Sequence, residues 1–135
     1  MSFIFDTNSI SALVHQRAGF ARLAAKIEPL ALRQRIVSAI TLAELRTMVA
    51  KARAPADKDA RLRLVLSEFA FADFDTAAAV HAGEIRAALE ARGMGIGPLD
   101  TLIAAHARSL GATVVTSNIS EFARVPGLRA VDWLR

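Results

Sequence analysis

The sequence contains no cysteine. That absence excludes structural disulfides, thiolate metal sites and cysteine nucleophiles together, leaving oxygen and imidazole as ligands for any metal. No apolar run approaches the roughly 20 residues needed to cross a bilayer. The opening Met1-Ser2-Phe3-Ile4-Phe5-Asp6 has neither a basic segment nor a long apolar core, so no secretory signal is visible and the expected compartment is the cytoplasm. Internal repeats, low-complexity tracts and linkers are absent, and the three lysines all lie at or before Lys58. The three histidines, His15, His81 and His106, show no metal-ligand spacing. His106 falls on the apolar stripe of a helix and reads as a core or edge residue without a catalytic role.

What is present fits one domain spanning residues 1–135. Hydrophobic residues make up 53% of the 135, enough to build one real core and too many for a disordered chain. Lys and Arg total 17 against 13 Asp and Glu, and removing the three lysines leaves 14 arginines. The planar guanidinium suits phosphate oxygens, so a polyanionic partner is plausible. A net charge of +4 is explained equally well by solubility.

Residues 2–5 form a short apolar run that ends at Asp6-Thr7-Asn8-Ser9, residues that favour caps and turns, which predicts a buried strand followed by a helix. Residues 36–39 predict a second strand leading into Thr41-Leu42-Ala43-Glu44, with the spacing of a capping box. Helical stripes follow at Leu42, Leu45, Met48, Val49 and Ala52, at Leu62, Val65, Leu66 and Phe69, and at Val80, Ile85, Ala88 and Leu89. A third strand is expected at 71–74. After the breaker stretch Gly93, Gly95, Gly97, Pro98, a helix carrying Leu99, Leu102, Ile103, His106, Ala107 and Leu110 runs to Gly111. Residues 112–116 predict a fourth strand, and 129–133 a short edge strand. Strands alternating with helices predict a parallel sheet covered on both faces.

Asp6 closes the first strand, Glu44 sits in the first turn of the helix after the second, and Asp100 opens the helix feeding the fourth. In an open parallel sheet these positions share the carboxyl edge, where ligands bind near the reversal of strand order. Three carboxylates meeting there repel one another unless a proton or cation intervenes. All-oxygen ligation suits Mg²⁺ or Mn²⁺ over zinc. Asn8 and the run Thr116-Ser117-Asn118 would add neutral oxygen ligands. Each acid also has a structural explanation: Asp6 as a cap, Glu44 as the second member of the capping box, Asp100 as a charge complementing a helix dipole. Those explanations do not account for three acids at one edge.

Four segments in order resemble the PIN domain, specifically the VapC-type toxins of toxin–antitoxin systems: Phe3-Ile-Phe-Asp6-Thr-Asn8-Ser-Ile-Ser11, Ser38-Ala-Ile-Thr-Leu-Ala-Glu44-Leu45, Gly97-Pro-Leu-Asp100-Thr-Leu-Ile-Ala-Ala-His106-Ala107 and Ala112-Thr-Val-Val-Thr116-Ser-Asn118. The ending Val125-Pro-Gly-Leu and Val131-Asp-Trp133 is similar too. The resemblance implies an α/β/α sandwich of three layers around a parallel sheet of four to five strands. It also implies an endoribonuclease using Mg²⁺ or Mn²⁺ on tRNA or rRNA, a homodimer, and a VapB-like antitoxin completing a heterotetramer or larger assembly. Asp6, Glu44 and Asp100 match the family's three main acids. Where many relatives have a fourth acid, this chain has Asn118, which keeps a carbonyl ligand and loses a charge. Glu121, one helical turn on, reads first as a solvated surface charge and otherwise as a substitute for that acid.

Arg46, Arg53, Arg61 and Arg63 are expected to line the approach of RNA, two of them on the helix of Glu44. Two other classes stay open. A phosphoacceptor receiver domain also gathers acids at strand ends, but it needs a late lysine that this chain lacks. A catalytically weak or inactive PIN-like module holding RNA or antitoxin is compatible with Asn118.

Overall fold

The computed structural model describes residues 1–135. In chain order the elements are β1 (Phe3–Phe5), α1 (Thr7–His15), α2 (Phe20–Ile27), β2 (Arg35–Ser38), α3 (Ala39–Ala50), α4 (Pro55–Leu66), β3 (Ala70–Ala72), α5 (Thr76–Ala91), α6 (Pro98–Leu110), β4 (Thr113–Val115), α7 (Ile119–Phe122) and β5 (Ala130–Val131). The strands form one sheet in the order β3-β2-β1-β4-β5, and every pairing is parallel. Chain order therefore runs outward from β1 to β3, then reverses to β4 and β5. The crevice between β1 and β4 marks that reversal.

Side-chain alternation along the strands divides the core between two faces. Phe5, Val37 and Val115 point to one side with Ile10, Leu23, Leu45 and Leu62. Ile4 and Val114 point to the other with Ile85, Leu89, Ile103 and Phe122. The two clusters hold 12 and 11 buried residues, so neither face is left for water and the architecture is the expected three-layer sandwich with five strands. The carboxyl-terminal segment closes the first cluster: the Trp133 ring lies 4.7 Å from Phe3 and 5.9 Å from Phe5.

Several local expectations change. α2 was not anticipated; its eight residues bury only Leu23 and Ile27, too sparse a stripe to announce a helix. α3 begins two residues before Thr41, because Ser38 caps it by accepting a hydrogen bond from the Ile40 N–H. Glu44 is thus in the second turn and belongs to no capping box. Val80 is 58% exposed, since it lies about 140° round the helix from Ile85 and off the buried stripe of Ala78, Ile85 and Leu89. Leu99 and Leu110, near the two ends of α6, are exposed as well. Arg53 lies in the link between α3 and α4, not on the helix of Glu44.

Displaced from its expected cap, Thr41 is fully buried and its Oγ1 has no hydrogen-bond partner. An orphaned buried hydroxyl is costly, and valine has nearly the same shape. Thr41→Val is therefore expected to raise stability by about 1 kcal/mol in a urea melt; a loss of stability would show that the hydroxyl is satisfied.

Candidate active site

The carboxyl ends of β1 and β4 meet here. Asp6 follows Phe5 directly and caps α1, accepting from the Ser9 N–H at 2.9 Å. The Ser9 hydroxyl donates to the Val115 carbonyl at 2.9 Å, tying the start of α1 to the end of β4. Thr116, the next residue, is buried; its hydroxyl bonds the Asp6 carboxylate and accepts from the Asn118 N–H. A strand end and a helix start together hold Asp6 in place with only 5% of its surface exposed. Glu44 reaches the same region from α3, where Thr7 Oγ1 donates to its Oε1 at 2.6 Å.

Asp100 lies in the first turn of α6, after Pro98 at the helix start. It lies against Glu121 of α7, whose carboxyl favours the protonated form of Asp100. Glu121 in turn accepts from the Asn118 side-chain amide. With its NH₂ turned to Glu121, Asn118 keeps its carbonyl oxygen uncommitted.

These acids feel one another. Burial, the hydrogen bond to Glu121, and the charges of Glu121, Asp6 and Glu44 raise the Asp100 pKa from 3.8 to about 6. Burial also raises that of Asp6; bonds from Thr116 and Ser9 counter it, and the charge of Glu44 adds to it. The cluster is short of positive charge. No three Asp, Glu or His side chains close around a single point as a ready-made cage; Asp6 and Glu44 are held by their own hydroxyl partners, and Asp100 by its proton. The donor set is all oxygen, which is the chemistry of Mg²⁺ and Mn²⁺, and Mg²⁺ typically takes only one or two carboxylates directly and keeps several waters. The residues fit such an ion.

Glu121 is not the solvated charge that reads first from sequence: it is partly buried and bonded to two residues of the cluster. Its signal was the three-residue spacing from Asn118 at the start of a short helix. Asn8 and Ser117 are exposed at the rim. His106 is 1% exposed, bonded to Ser38 Oγ at 2.8 Å and packed against Phe74, a core residue as expected. Of the four arginines expected to meet RNA, Arg46 and Arg63 both close on Asp59. Arg53 and Arg61 form no ion pair. No helix is long and apolar enough to cross a membrane.

Comparison with known proteins bears on this geometry. The family model of the PIN domain matches residues 3–128. The chain is 37% identical over 133 residues to a tRNA(fMet)-specific endonuclease VapC of Salmonella typhimurium, covering 98% of each. To the protein of that name from Shigella flexneri it is 44% identical over 97 residues, covering 72% of this chain and 74% of the other. Among solved structures, VapBC2 of Rickettsia felis bound to a DNA fragment from the promoter matches with a TM-score of 0.89 at 30% identity, over 98% of this chain and 99% of that one. DNA-bound VapBC from Salmonella typhimurium matches with a TM-score of 0.88 at 36% identity, over 98% of each chain.

Proposed function

The chain belongs to the PIN-domain family, among the VapC-type endoribonuclease toxins, and from that premise we propose that it hydrolyses structured RNA of the tRNA or rRNA class using Mg²⁺, or Mn²⁺ in its place, held among Asp6, Glu44, Asp100 and Glu121, by one or two of them directly and by the others through water. Its partner is a VapB-type antitoxin, and the working assembly is a homodimer joined to antitoxin in the cytoplasm. The observation that carries the reading is the cluster of carboxylates at the β1–β4 crevice, where one of them holds a proton up to about pH 6 for want of a cation.

When bound, a divalent ion supplies positive charge at the phosphate and makes water acidic enough to attack near neutral pH. The protein's part is to fix the oxygens. Ser9 and Thr116 orient Asp6, and Thr7 binds one oxygen of Glu44 and leaves the other free. Asp100 gives up its proton and offers a charge beside Glu121, with the Asn118 carbonyl next to them. Glu121 thereby restores the charge that Asn118 lacks, which favours an active nuclease over an inactive binding module. Hydrolysis of this kind, leaving 5′-phosphate and 3′-hydroxyl ends, does not use the RNA 2′-hydroxyl as nucleophile, so selection of RNA rests on shape and backbone contacts.

Purified chain incubated with bulk tRNA is expected to cut it in Mg²⁺ or Mn²⁺ and not in excess chelator; cleavage that persists in chelator sinks the metal mechanism. Metal binding should follow the Asp100 proton. Because that proton must leave, Mg²⁺ affinity measured by calorimetry is expected to fall about tenfold between pH 7.5 and pH 5.

A further inference from the structure

Thr7, Ser11 and His15 stand at successive fours along α1 and so share one stripe of the helix. Each meets the layer of α3 and α4. Thr7 bonds Glu44, Ser11 Oγ reaches Met48 Sδ, and His15 lies beside Lys58 and Arg61 of α4, with Arg17 just past the end of its own helix. The stripe thus runs from the acidic centre to a cluster of three cations. From residue 7 to residue 15 the helix rises about 12 Å, the reach of a few nucleotides of single strand.

None of Arg17, Lys58 and Arg61 belongs to an ion pair; the chain's six pairs use Arg35, Arg46, Arg63, Arg86, Arg108 and Arg135. The nearby Asp59 is already shared by Arg46 and Arg63, and Asp57 pairs with no cation. Arg17 and Arg61 are exposed, and Lys58 is half-buried. His15 adds no charge: burial first, then Lys58 and Arg17 with Arg61, lowers its pKa, while a bond to the Ser11 carbonyl partly opposes this. Lys58 and Arg61 are like charges three residues apart on α4, and Lys58 lies near the helix N-terminus, where cations are unfavourable. Asp57, four residues before Arg61 on the helix, forms no ion pair, so an incoming anion would relieve the repulsion that remains.

We propose that the cationic surface where the end of α1 meets α4, formed by Arg17, Lys58 and Arg61, docks the phosphate backbone of the RNA strand that enters the acidic centre. The inference rests on the nuclease reading above and adds where the strand lies: over the outer surface between the acidic centre and the end of α1, since the stripe itself is closed by the buried Ser11, with the phosphate to be cut at Asp6 and Glu44 and phosphates a few nucleotides away on the three cations. Arg46 and Arg63, satisfied by Asp59, are not part of this surface.

The test uses the 135-residue chain carrying Asp100→Asn, so that tRNA binds without being cut, and follows affinity for bulk tRNA between about 50 and 200 mM KCl by fluorescence anisotropy. Arg17→Gln, Lys58→Gln and Arg61→Gln together are expected to weaken binding about tenfold and to reduce the log–log salt slope by about two. A control removes equal charge elsewhere: Arg33→Gln and Arg129→Gln, just before β2 and β5 at the opposite edge of the sheet, with Arg86→Gln on α5. It is expected to change affinity less than about twofold. Melting temperatures and Mg²⁺ binding, measured without Asp100→Asn, report whether each triple variant stays folded. Equal losses in the two triples, or a loss with no change in slope, would overturn the proposal while leaving a cleaving parent chain as a nuclease. Weakened binding to poly-glutamate with tRNA affinity intact would overturn it in favour of an acidic protein segment. If the unsubstituted chain neither cuts nor binds tRNA, the nuclease reading falls first.

Discussion

Asp100→Asn is expected to slow RNA cleavage about a thousandfold at pH 7.5, equivalent to about 4 kcal/mol of transition-state stabilisation, and at the same pH to raise the melting temperature of the chelator-treated protein. The two effects have one origin. Asp100 is half-buried among Glu121, Asp6 and Glu44, and its carboxyl holds a proton up to about pH 6. A folded-state pKa raised above 3.8 means that the native state favours the protonated acid, a contribution fully present below the unfolded pKa and lost as pH rises through 6. At pH 7.5 the metal-free fold carries the repulsion in full, and an uncharged Asn relieves it. The advantage of the variant should shrink as the melt is repeated toward pH 4. With Mg²⁺ present at pH 7.5 the order should reverse, because the ion stabilises the unsubstituted chain by binding its native state. Cleavage within tenfold of the parent chain would remove Asp100 from the centre; equal melting temperatures in chelator at both pH values would mean that its carboxyl is not under repulsion.

The second large effect is expected at Phe5. Its ring is completely buried, 5.1 Å from Phe69 and 5.9 Å from Trp133. It therefore joins β1, the link between α4 and β3 and the carboxyl-terminal segment. Phe5→Ala should cost about 4 kcal/mol from lost transfer energy and the remaining cavity, a large fraction of the stability of any single domain. Thermal melts should shift down by about 10–20 °C. Because Asp6 is the next residue, cleavage measured below the new melting temperature should also fall as the start of α1 loosens. A shift of a degree or two would mean that the neighbouring rings collapse into the space.

Much of the site was legible as local pattern. An apolar run that stops at Asp6-Thr7-Asn8 marks a strand end and a helix cap within a few residues, and the structure holds Asp6 at that junction. Pro98 followed by Asp100 marks a helix start in the same way. The reading failed where two local signals competed. Thr41 and Glu44 have the spacing of a capping box, but Ser38 takes the cap, and Ser38 is itself anchored by His106, 68 residues further along the chain. It failed again where a side chain's partner comes from elsewhere: Glu121 is a surface charge until α7 lies against α6, and Arg46 is an open cation until Asp59 arrives from α4.

Composition, periodicity and caps by themselves determined that this chain makes a parallel sheet with helices on both faces and sets acids at strand and helix ends, because those features are encoded within a few residues of each position. Which groups face one another was decided only in three dimensions. Strand order puts β1 beside β4, so Asp6, Asp100 and Glu121 share a crevice, and the packing of α1 on α4 collects Arg17, Lys58 and Arg61. Charge interactions act through space over a few ångströms, and that distance is set by the packing of the layers, whatever the separation along the chain.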